Sequence, residues 1–219
     1  QFNLAASETN ADLIIFVGQE TRFPPHALLL IAREYSQCDD VKILYGDEDR
    51  MQIGGYRTNP DFKSNFDRIR LLNHNYIGNT FAIELKTFER LKGFKTDKRL
   101  DPFHDLLLRA SKLLSDQNII HLPFITSHRI VLPKLSDWNY EQSRIHTIKE
   151  NFSSSSWKVS DQKGILCVRP TISKKEKLIS IIMPSACKVQ FLSKCLESIF
   201  SKTAFLNSIY FPIFLYFKI

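Results

Sequence analysis

Residues 11–45 read ADLIIFVGQETRFPPHALLLIAREYSQCDDVKILY and contain the pattern that decides the fold. The apolar run 11–17, which is rich in Ile and Val and is followed by Gly18, predicts a buried strand. Residues 25–35 predict a helix, because proline is tolerated in a first turn and apolar residues recur on one face. A second short strand is expected at 42–45. This part of the chain is therefore expected to form a strand, a helix and a strand.

The same alternation continues downstream. Residues 80–84 predict a strand, 86–91 a short helix, and 104–114 a longer helix with an apolar stripe. Residues 118–122 predict one more strand, which Pro123 is expected to end. Alternating strands and helices are typical of an α/β layered fold with a largely parallel sheet.

The composition is that of an ordinary globular protein: 219 residues, of which 43% are hydrophobic and 24% charged. The 30 Lys and Arg exceed the 23 Asp and Glu, and the net charge of +7 favours anionic partners such as nucleotide diphosphates or phospholipid surfaces. The basic residues are scattered and no nucleic-acid-binding signature accompanies them, so we expect no nucleic-acid partner. Four widely spaced cysteines without a C-x-x-C pair favour a reduced, cytoplasmic compartment.

The character of the chain changes after residue 135. Residues 136–158 are polar and include a run of four serines, which is typical of a connector between domains. The pattern then restarts, because 178–183 (LISIIM) predict a strand and 189–201 an amphipathic helix, the first unit of a second α/β domain. The apolar tail 204–219 is expected to be either a buried or aggregation-prone strand segment or a segment that contacts a membrane.

Six segments carry a resemblance to a known family. In chain order they are DLIIFVGQETRFPPHALLLIA, ILYGDEDRM, NPDFKSNFDRIRLLNHNYIGNTFAI, RLDPFHDLLLRAS, IIHLPFITSHR and KLISIIMPSACKVQFLSKCLESIFSKT. Together they resemble the bacterial family 2 glycosyltransferases of O-antigen and rhamnan assembly, in which two such domains often stand in tandem. The resemblance implies an incomplete nucleotide-diphospho-sugar transferase domain of the GT-A, Rossmann-like type, followed by the first β-α unit of a second such domain.

The implied domain boundaries follow from the order of these segments. They are 1–135 for the C-terminal, acceptor-side part of the first domain, 136–177 for the connector, and 178–219 for the truncated beginning of the second domain. The chain is thus expected to be incomplete with respect to this family.

The resemblance also implies a donor site. Transfer from a nucleotide-sugar builds negative charge on the leaving diphosphate, and such sites usually hold Mg or Mn on an Asp-x-Asp motif. This chain has Gly18-Gln19-Glu20 at that place, so Glu20 is the remaining candidate metal ligand, and the alternative is a solvated loop residue. His128 lies where the family places residues that meet the diphosphate, and its alternative is an ordinary hydrogen-bonded histidine.

The catalytic base implied by the resemblance falls on Phe103, which cannot accept a proton. Asp101 and Asp105 flank it and are the candidate catalytic residues. A shift of two residues along a helix turns a side chain by roughly 160 to 200°, so either carboxylate needs an altered local geometry to take over that role. The alternative is that both are the carboxylates that helix N-termini commonly carry.

An acceptor site is implied by two further segments. Asp47, Glu48 and Asp49 form an acidic loop near the acceptor side, where they bind a cation or acceptor hydroxyls, unless they are merely solvated. Asn75 and Tyr76 are expected to contribute hydrogen bonds and stacking to a sugar, and the alternative for Tyr76 is a place in the core.

Two main functions remain open at this stage, beside a more distant third, a membrane-surface module that uses the basic surplus and the aromatic tail. The first is a glycosyltransferase-like protein that moves a sugar from a nucleotide-sugar donor to a growing bacterial surface polysaccharide, weakly or not at all because Gly18 and Phe103 replace carboxylates. The second is a non-catalytic remnant or scaffold that binds glycan or partner glycosyltransferases. In both cases we expect a cytoplasmic location, either throughout the cytoplasm or at the inner face of the membrane with peripheral contact.

Overall fold

A computed structural model describes residues 2–18, 20–52, 54–130, 140–152, 157–162, 165–171, 179–180, 183–185, 189–202, 209–210 and 213–215. The chain divides into two compact units, Gln1–Pro170 and Thr171–Ile219. Within the described residues, no helix is long and apolar enough to cross a membrane.

The first unit contains both helices and strands, which alternate only in part. The helices are α1 (Phe2–Ser7), α2 (Ala27–Gln37), α3 (Arg68–Asn73), α4 (Leu85–Arg90), α5 (Pro102–Leu113) and α6 (Tyr140–Phe152). The strands are β1 (Leu13–Phe16), β2 (Thr21–Arg22), β3 (Ile43–Met51), β4 (Arg57–Asp61), β5 (Phe81–Glu84), β6 (Ile119–Ile130), β7 (Trp157–Gln162) and β8 (Ile165–Pro170). The predicted α/β class is therefore confirmed.

The central sheet has the strand order β1-β5-β3-β6-β2, and β4 pairs with β3. Only the β3–β6 pairing in this sheet is parallel, and the other four are antiparallel. The expectation of a largely parallel sheet was therefore wrong. β1 and β3 run in the same direction, as a strand–helix–strand unit requires, but β5 inserts between them in the opposite direction, and β4 returns beside β3 after the turn at Gly54 and Gly55.

Two local expectations are corrected by the length of β3 and β6. The three acids at 47–49 lie within β3 and do not form a loop. β6 continues through Pro123, because Leu122 pairs with Gly46 and Ile125 with Asp47, which leaves two residues in a bulge. Proline is tolerated there because a residue in a bulge does not donate a backbone hydrogen bond to the neighbouring strand.

A cluster of six phenylalanines fills one part of the core beside α5. Its members, hereafter the phenylalanine cluster, are Phe2, Phe16, Phe81, Phe88, Phe94 and Phe103. Most of the ring pairs meet edge to face, the arrangement that aromatic quadrupoles favour. α1 is fixed over the cluster by Asn3, whose side-chain amide donates to the carbonyl of Phe94 and accepts from its N–H, each at 2.8 Å.

The expected connector is structured over much of its length. α6 packs on α5, and its Thr147 and Ile148 are fully buried. β7 and β8 form an antiparallel hairpin, and the run of four serines lies outside the described residues. Composition is a poor guide here because a polar helix with a single buried face still packs on a core. The three-part domain division itself stays a prediction.

Among its described residues, the second unit contains one 14-residue helix and four strands of two or three residues. They are β9 (Ile179–Ser180), β10 (Met183–Ser185), α7 (Val189–Lys202), β11 (Ile209–Tyr210) and β12 (Ile213–Leu215). β10 pairs in parallel with β12, and β9 in parallel with β11. The predicted helix at 189–201 is found as α7, and most of the apolar tail lies outside the described residues.

Candidate functional site

A polar cavity of about 590 Å³, hereafter the main cavity, lies in the first unit beside β3, the segment after α3 and the start of α5. Its wall combines three carboxylates, two guanidinium groups, a histidine, two amides and two rings. These residues are Glu48, Asp61, Asp101, Arg70, Arg129, His74, Asn75, Asn79, Tyr76 and Phe103. The wall therefore offers hydrogen-bond acceptors and donors together with apolar surface.

Glu48 is held in this wall by a buried cation. The Lys63 ammonium donates to the carbonyl of Ile77 at 2.6 Å and lies 3.7 Å from Oε2 of Glu48. Burial lowers the pKa of Lys63, although the nearby Glu48 and Asp61 carboxylates act in the opposite direction. Gly78, with φ of +89°, leaves room for this pair, because a Cβ at that residue would lie 3.3 Å from the ammonium and 3.4 Å from the carboxylate.

Asn75 and Tyr76 lie in the turn that separates α3 from β5. The Asn75 side chain bonds both backbone groups of Gly78, at 3.0 and 3.1 Å, and so fixes the turn. Tyr76 is buried, and its hydroxyl accepts from the N–H of Asp67 at 2.7 Å. The Arg70 guanidinium lies over the Tyr76 ring, 4.7 Å from its centroid. Both residues line the main cavity while also supporting its wall.

Asp101 is the N-cap residue of α5 and also lines the main cavity. Its Oδ1 accepts from the N–H groups of Phe103 and His104 at 3.1 and 3.0 Å. The Asp101 N–H donates to the hydroxyl of Thr147. Asp101 thus makes the hydrogen bonds of a helix N-cap, the alternative to a catalytic role, and these bonds involve one oxygen of its carboxylate.

Asp105 lies elsewhere, completely buried one turn further along α5. Its carboxylate accepts from Arg109 Nε and from the Asn151 amide, each at 2.8 Å, and lies 3.3 Å from the Lys95 ammonium. Arg109 in turn donates to the carbonyl groups of Leu91 and Gly93. This network ties α5 to α6 and to the segment after α4, and it does not line the main cavity.

Two Asp–His pairs join β3 to β6. His121 donates to Asp47 at 2.7 Å, and His128 donates to Asp49 at 2.5 Å. Asp49 also accepts from Arg57 at 2.6 Å. Asp47, Asp49 and His128 are all buried and are absent from the lining of the main cavity.

A smaller cavity of about 250 Å³ adjoins the main cavity. It shares Glu48, Asp61 and Arg129 with it and includes Asp49 in its own wall. Arg129 is exposed and takes part in both walls, so its guanidinium offers donors to either space.

Glu20 lies in the turn before β2, partly exposed and outside the main-cavity lining. Its carbonyl accepts from the N–H of Ile130 at 2.7 Å. Among the described residues, no group of three or more His, Cys, Asp or Glu side chains is placed to hold a metal ion. Glu20 is therefore a single carboxylate here, and a Mg or Mn ion held by it would take its other oxygen ligands from water and a bound diphosphate.

No protein-family model matches the chain. The chain is 29% identical over 104 residues to the O-antigen biosynthesis protein RfbC of Myxococcus xanthus, a match that covers 48% of this chain and 8% of that protein. It is 27% identical over 120 residues to the uncharacterized protein y4gI of Sinorhizobium fredii, covering 55% of this chain and 13% of that one. The matches thus span only a small part of these curated relatives.

Solved structures with some similarity include a glucosyl-3-phosphoglycerate synthase and a mannosyl-3-phosphoglycerate synthase. Glucosyl-3-phosphoglycerate synthase of Mycobacterium tuberculosis, in complex with phosphoglyceric acid, is 12% identical with a TM-score of 0.42, and covers 77% of this chain and 60% of its own. The same enzyme with Mn2+, UDP-glucose and glycerol 3-phosphate is 10% identical with a TM-score of 0.42, covering 78% and 61%. Mannosyl-3-phosphoglycerate synthase of Rubrobacter xylanophilus is 11% identical with a TM-score of 0.43, covering 79% and 60%.

Several residues of the main cavity were not expected from the sequence. They are Asp61, Arg70, His74, Asn79 and Arg129. Burial, and secondarily Arg70, lowers the pKa of His74, so its imidazole is neutral at pH 7. Asn79 and His74 lie beside the expected Asn75 and Tyr76, so proximity in sequence was the available signal for them.

Proposed function

We propose that this chain forms part of a glycosyltransferase-like protein and that its main cavity binds the hydroxyl groups of a glycan acceptor. The observation that carries the proposal is the wall of the main cavity, in which Glu48, Asn79, Asp101 and Arg129 come from four separate segments. Sugar hydroxyls both donate and accept hydrogen bonds, and this wall offers carboxylate acceptors next to amide and guanidinium donors. The name of the Myxococcus xanthus relative, an O-antigen biosynthesis protein, agrees with a polysaccharide acceptor.

In this proposal, residues 1–135 act as the acceptor-side part of a family 2 domain of the GT-A type, and 178–219 begin a second such domain. The donor is a nucleotide-sugar, and the product is a bacterial surface polysaccharide made at the cytoplasmic face of the membrane. Glu20 and His128 belong to the donor side. Catalysis of this kind uses Mg or Mn, and Glu20 would supply one carboxylate ligand to such an ion.

The chemistry available to the cavity follows from the state of its carboxylates. At Glu48, an acceptor hydroxyl would contact a carboxylate that pairs with the Lys63 ammonium. At Asp101, it would contact Oδ2, because the helix cap uses Oδ1. Either group can accept the hydroxyl hydrogen bond. At the position where the family resemblance implies a base, Phe103 offers no proton acceptor, so we expect weak or absent transfer.

Glycan binding tests the proposal. An array of bacterial O-antigen oligosaccharides identifies a binder, and titration calorimetry then measures its Kd for the wild type and for Glu48→Gln. We expect the variant to bind about tenfold or more weakly, because a hydrogen bond to a charged acceptor contributes about 1.5–3 kcal/mol. Asp116→Asn, which alters an exposed ion pair away from both cavities, is the matched control and should bind as the wild type does. Absence of saturable binding to every glycan would falsify the proposal.

The second candidate function is a non-catalytic remnant or scaffold that binds glycan or partner glycosyltransferases. It is favoured by Phe103 and by the hydrogen bonds that engage Asp101 as a helix cap. To separate the two candidate functions, the protein is incubated with the bound glycan, Mn2+ and a panel of nucleotide-sugars. Mass spectrometry then measures the mass of the glycan. A glycan lengthened by one sugar supports the transferase, whereas binding without any product at any donor supports the scaffold.

A further inference from the structure

We propose that Phe103 is a sugar-stacking residue, whose ring forms the apolar platform of the main cavity. This inference rests on the proposed function, because it assigns a role in glycan recognition to a residue that cannot act as a base. Phe103 occupies the position where the family resemblance implies a proton acceptor, and the proposal gives its side chain a role in binding instead.

The first observation is that the Phe103 ring is fixed. It belongs to the phenylalanine cluster, with ring centroids 5.2 Å from Phe94, 6.0 Å from Phe2, 6.2 Å from Phe81 and 6.4 Å from Phe16. Its planes make angles of 68 to 88° with those of its four neighbours. A ring surrounded in this way loses little further freedom when a ligand binds, so a contact with it is preorganised.

The second observation is that Phe103 is only partly buried and lines the main cavity. The same cavity is lined by Asp101, two residues before Phe103, and by Glu48, Asn79 and Arg129 from other segments. The cavity thus combines an aromatic surface with carboxylate, amide and guanidinium groups.

A pyranose ring matches this distribution of chemistry. Its hydroxyl groups point outward and form hydrogen bonds, whereas its C–H bonds gather on the faces of the ring and make an apolar surface. An aromatic side chain covers such a surface and removes it from water, while the surrounding polar groups satisfy the hydroxyls. A free phosphate group and an extended peptide backbone lack this combination. The chemistry of the wall therefore favours a neutral sugar with one unsubstituted C–H face.

The test compares leucine substitutions at two members of the cluster. Phe103→Leu keeps an apolar side chain in the core and removes the ring from the main cavity. Phe88→Leu is the matched control, because Phe88 contacts Phe16 and Phe94 but does not line the cavity. With the array-selected oligosaccharide as the probe, we expect Phe103→Leu to raise the Kd by about three- to tenfold and Phe88→Leu to leave it within about twofold. Phe103→Tyr, which keeps the ring, should retain binding.

A second measurement needs no variant. Nuclear Overhauser contacts between the Phe103 ring protons and the sugar C–H protons are expected in the wild-type complex. Stacking is refuted if Phe103→Leu binds the oligosaccharide as well as the wild type does. If that variant does not fold, stacking is refuted by a wild-type complex that lacks these contacts. A wild type that binds no oligosaccharide refutes the proposed function itself, so the two failures are distinguishable.

Discussion

Removal of the Asp105 carboxylate is expected to destabilise the first unit strongly. Asp105→Ala deletes the partner of Arg109, whose side chain is only 17% exposed, together with the acceptor for Asn151. Deleting one member of a buried ion pair costs about 3–5 kcal/mol, because the remaining charge stays desolvated. For a unit of this size, each kcal/mol lowers the Tm by about 2–4 °C, so the expected decrease is about 6–20 °C.

Thermal unfolding followed by circular dichroism measures this decrease, and urea denaturation measures the corresponding free energy. The control is Asp116→Ala, which breaks the exposed ion pair with Arg68 and should cost about 1 kcal/mol or less. Glycan affinity of Asp105→Ala, measured well below its Tm, should equal that of the wild type, since Asp105 does not line the main cavity. The reasoning is refuted if the two alanine variants unfold at the same temperature, or if Asp105→Ala stays stable and loses binding.

Three further predictions concern the framework of the site. Gly46→Ala would place a Cβ 2.4 Å from the Thr126 side chain and should cost about 1–3 kcal/mol in urea denaturation, part of which Thr126→Ala should restore. Burial lowers the pKa of His104, so below about pH 6.5 the unfolded chain takes up a proton that the folded chain does not. The free energy of unfolding should therefore have its full value above about pH 6.5 and fall below it, with a slope of at most about 1.4 kcal/mol per pH unit. Denaturation curves from pH 7.5 to 5 measure this slope, which His104→Gln should flatten. Asn3→Ala should free α1 from Phe94, and hydrogen exchange of the Phe94 amide should accelerate while that of α5 stays unchanged.

The sequence was most informative where local forces decide the structure. The helix predicted at 104–114 is found at Pro102–Leu113, because its apolar stripe and the Asp101 cap are local features. The strand predicted at 42–45 begins where expected but continues to Met51. Its extension depends on pairing with β6 across a bulge, and such a long-range ladder leaves no trace in the spacing of residues on one strand.

The candidate site was predicted in outline only. Glu48, Asn75, Tyr76 and Asp101 line the main cavity, although their roles stay predictions. Arg129 was not expected to line the cavity, because the role of an exposed guanidinium can be recognised only when the segment that faces it is known. Lys63 was missed for a related reason, since no short pattern distinguishes a buried lysine from the many that stay in water.

The three consecutive acids of β3 have different contacts, and this difference affects how mutational data on this protein should be interpreted. Asp47 and Asp49 join β3 to β6 through histidines, and Asp49 also lines the smaller cavity, whereas Glu48 lines both cavities. An alanine scan scored only by loss of activity in cells would rank all three alike, because misfolded and binding-defective proteins produce the same phenotype. Scoring soluble abundance alongside activity would separate Glu48 from its two neighbours, with the latter grouped among positions that determine yield.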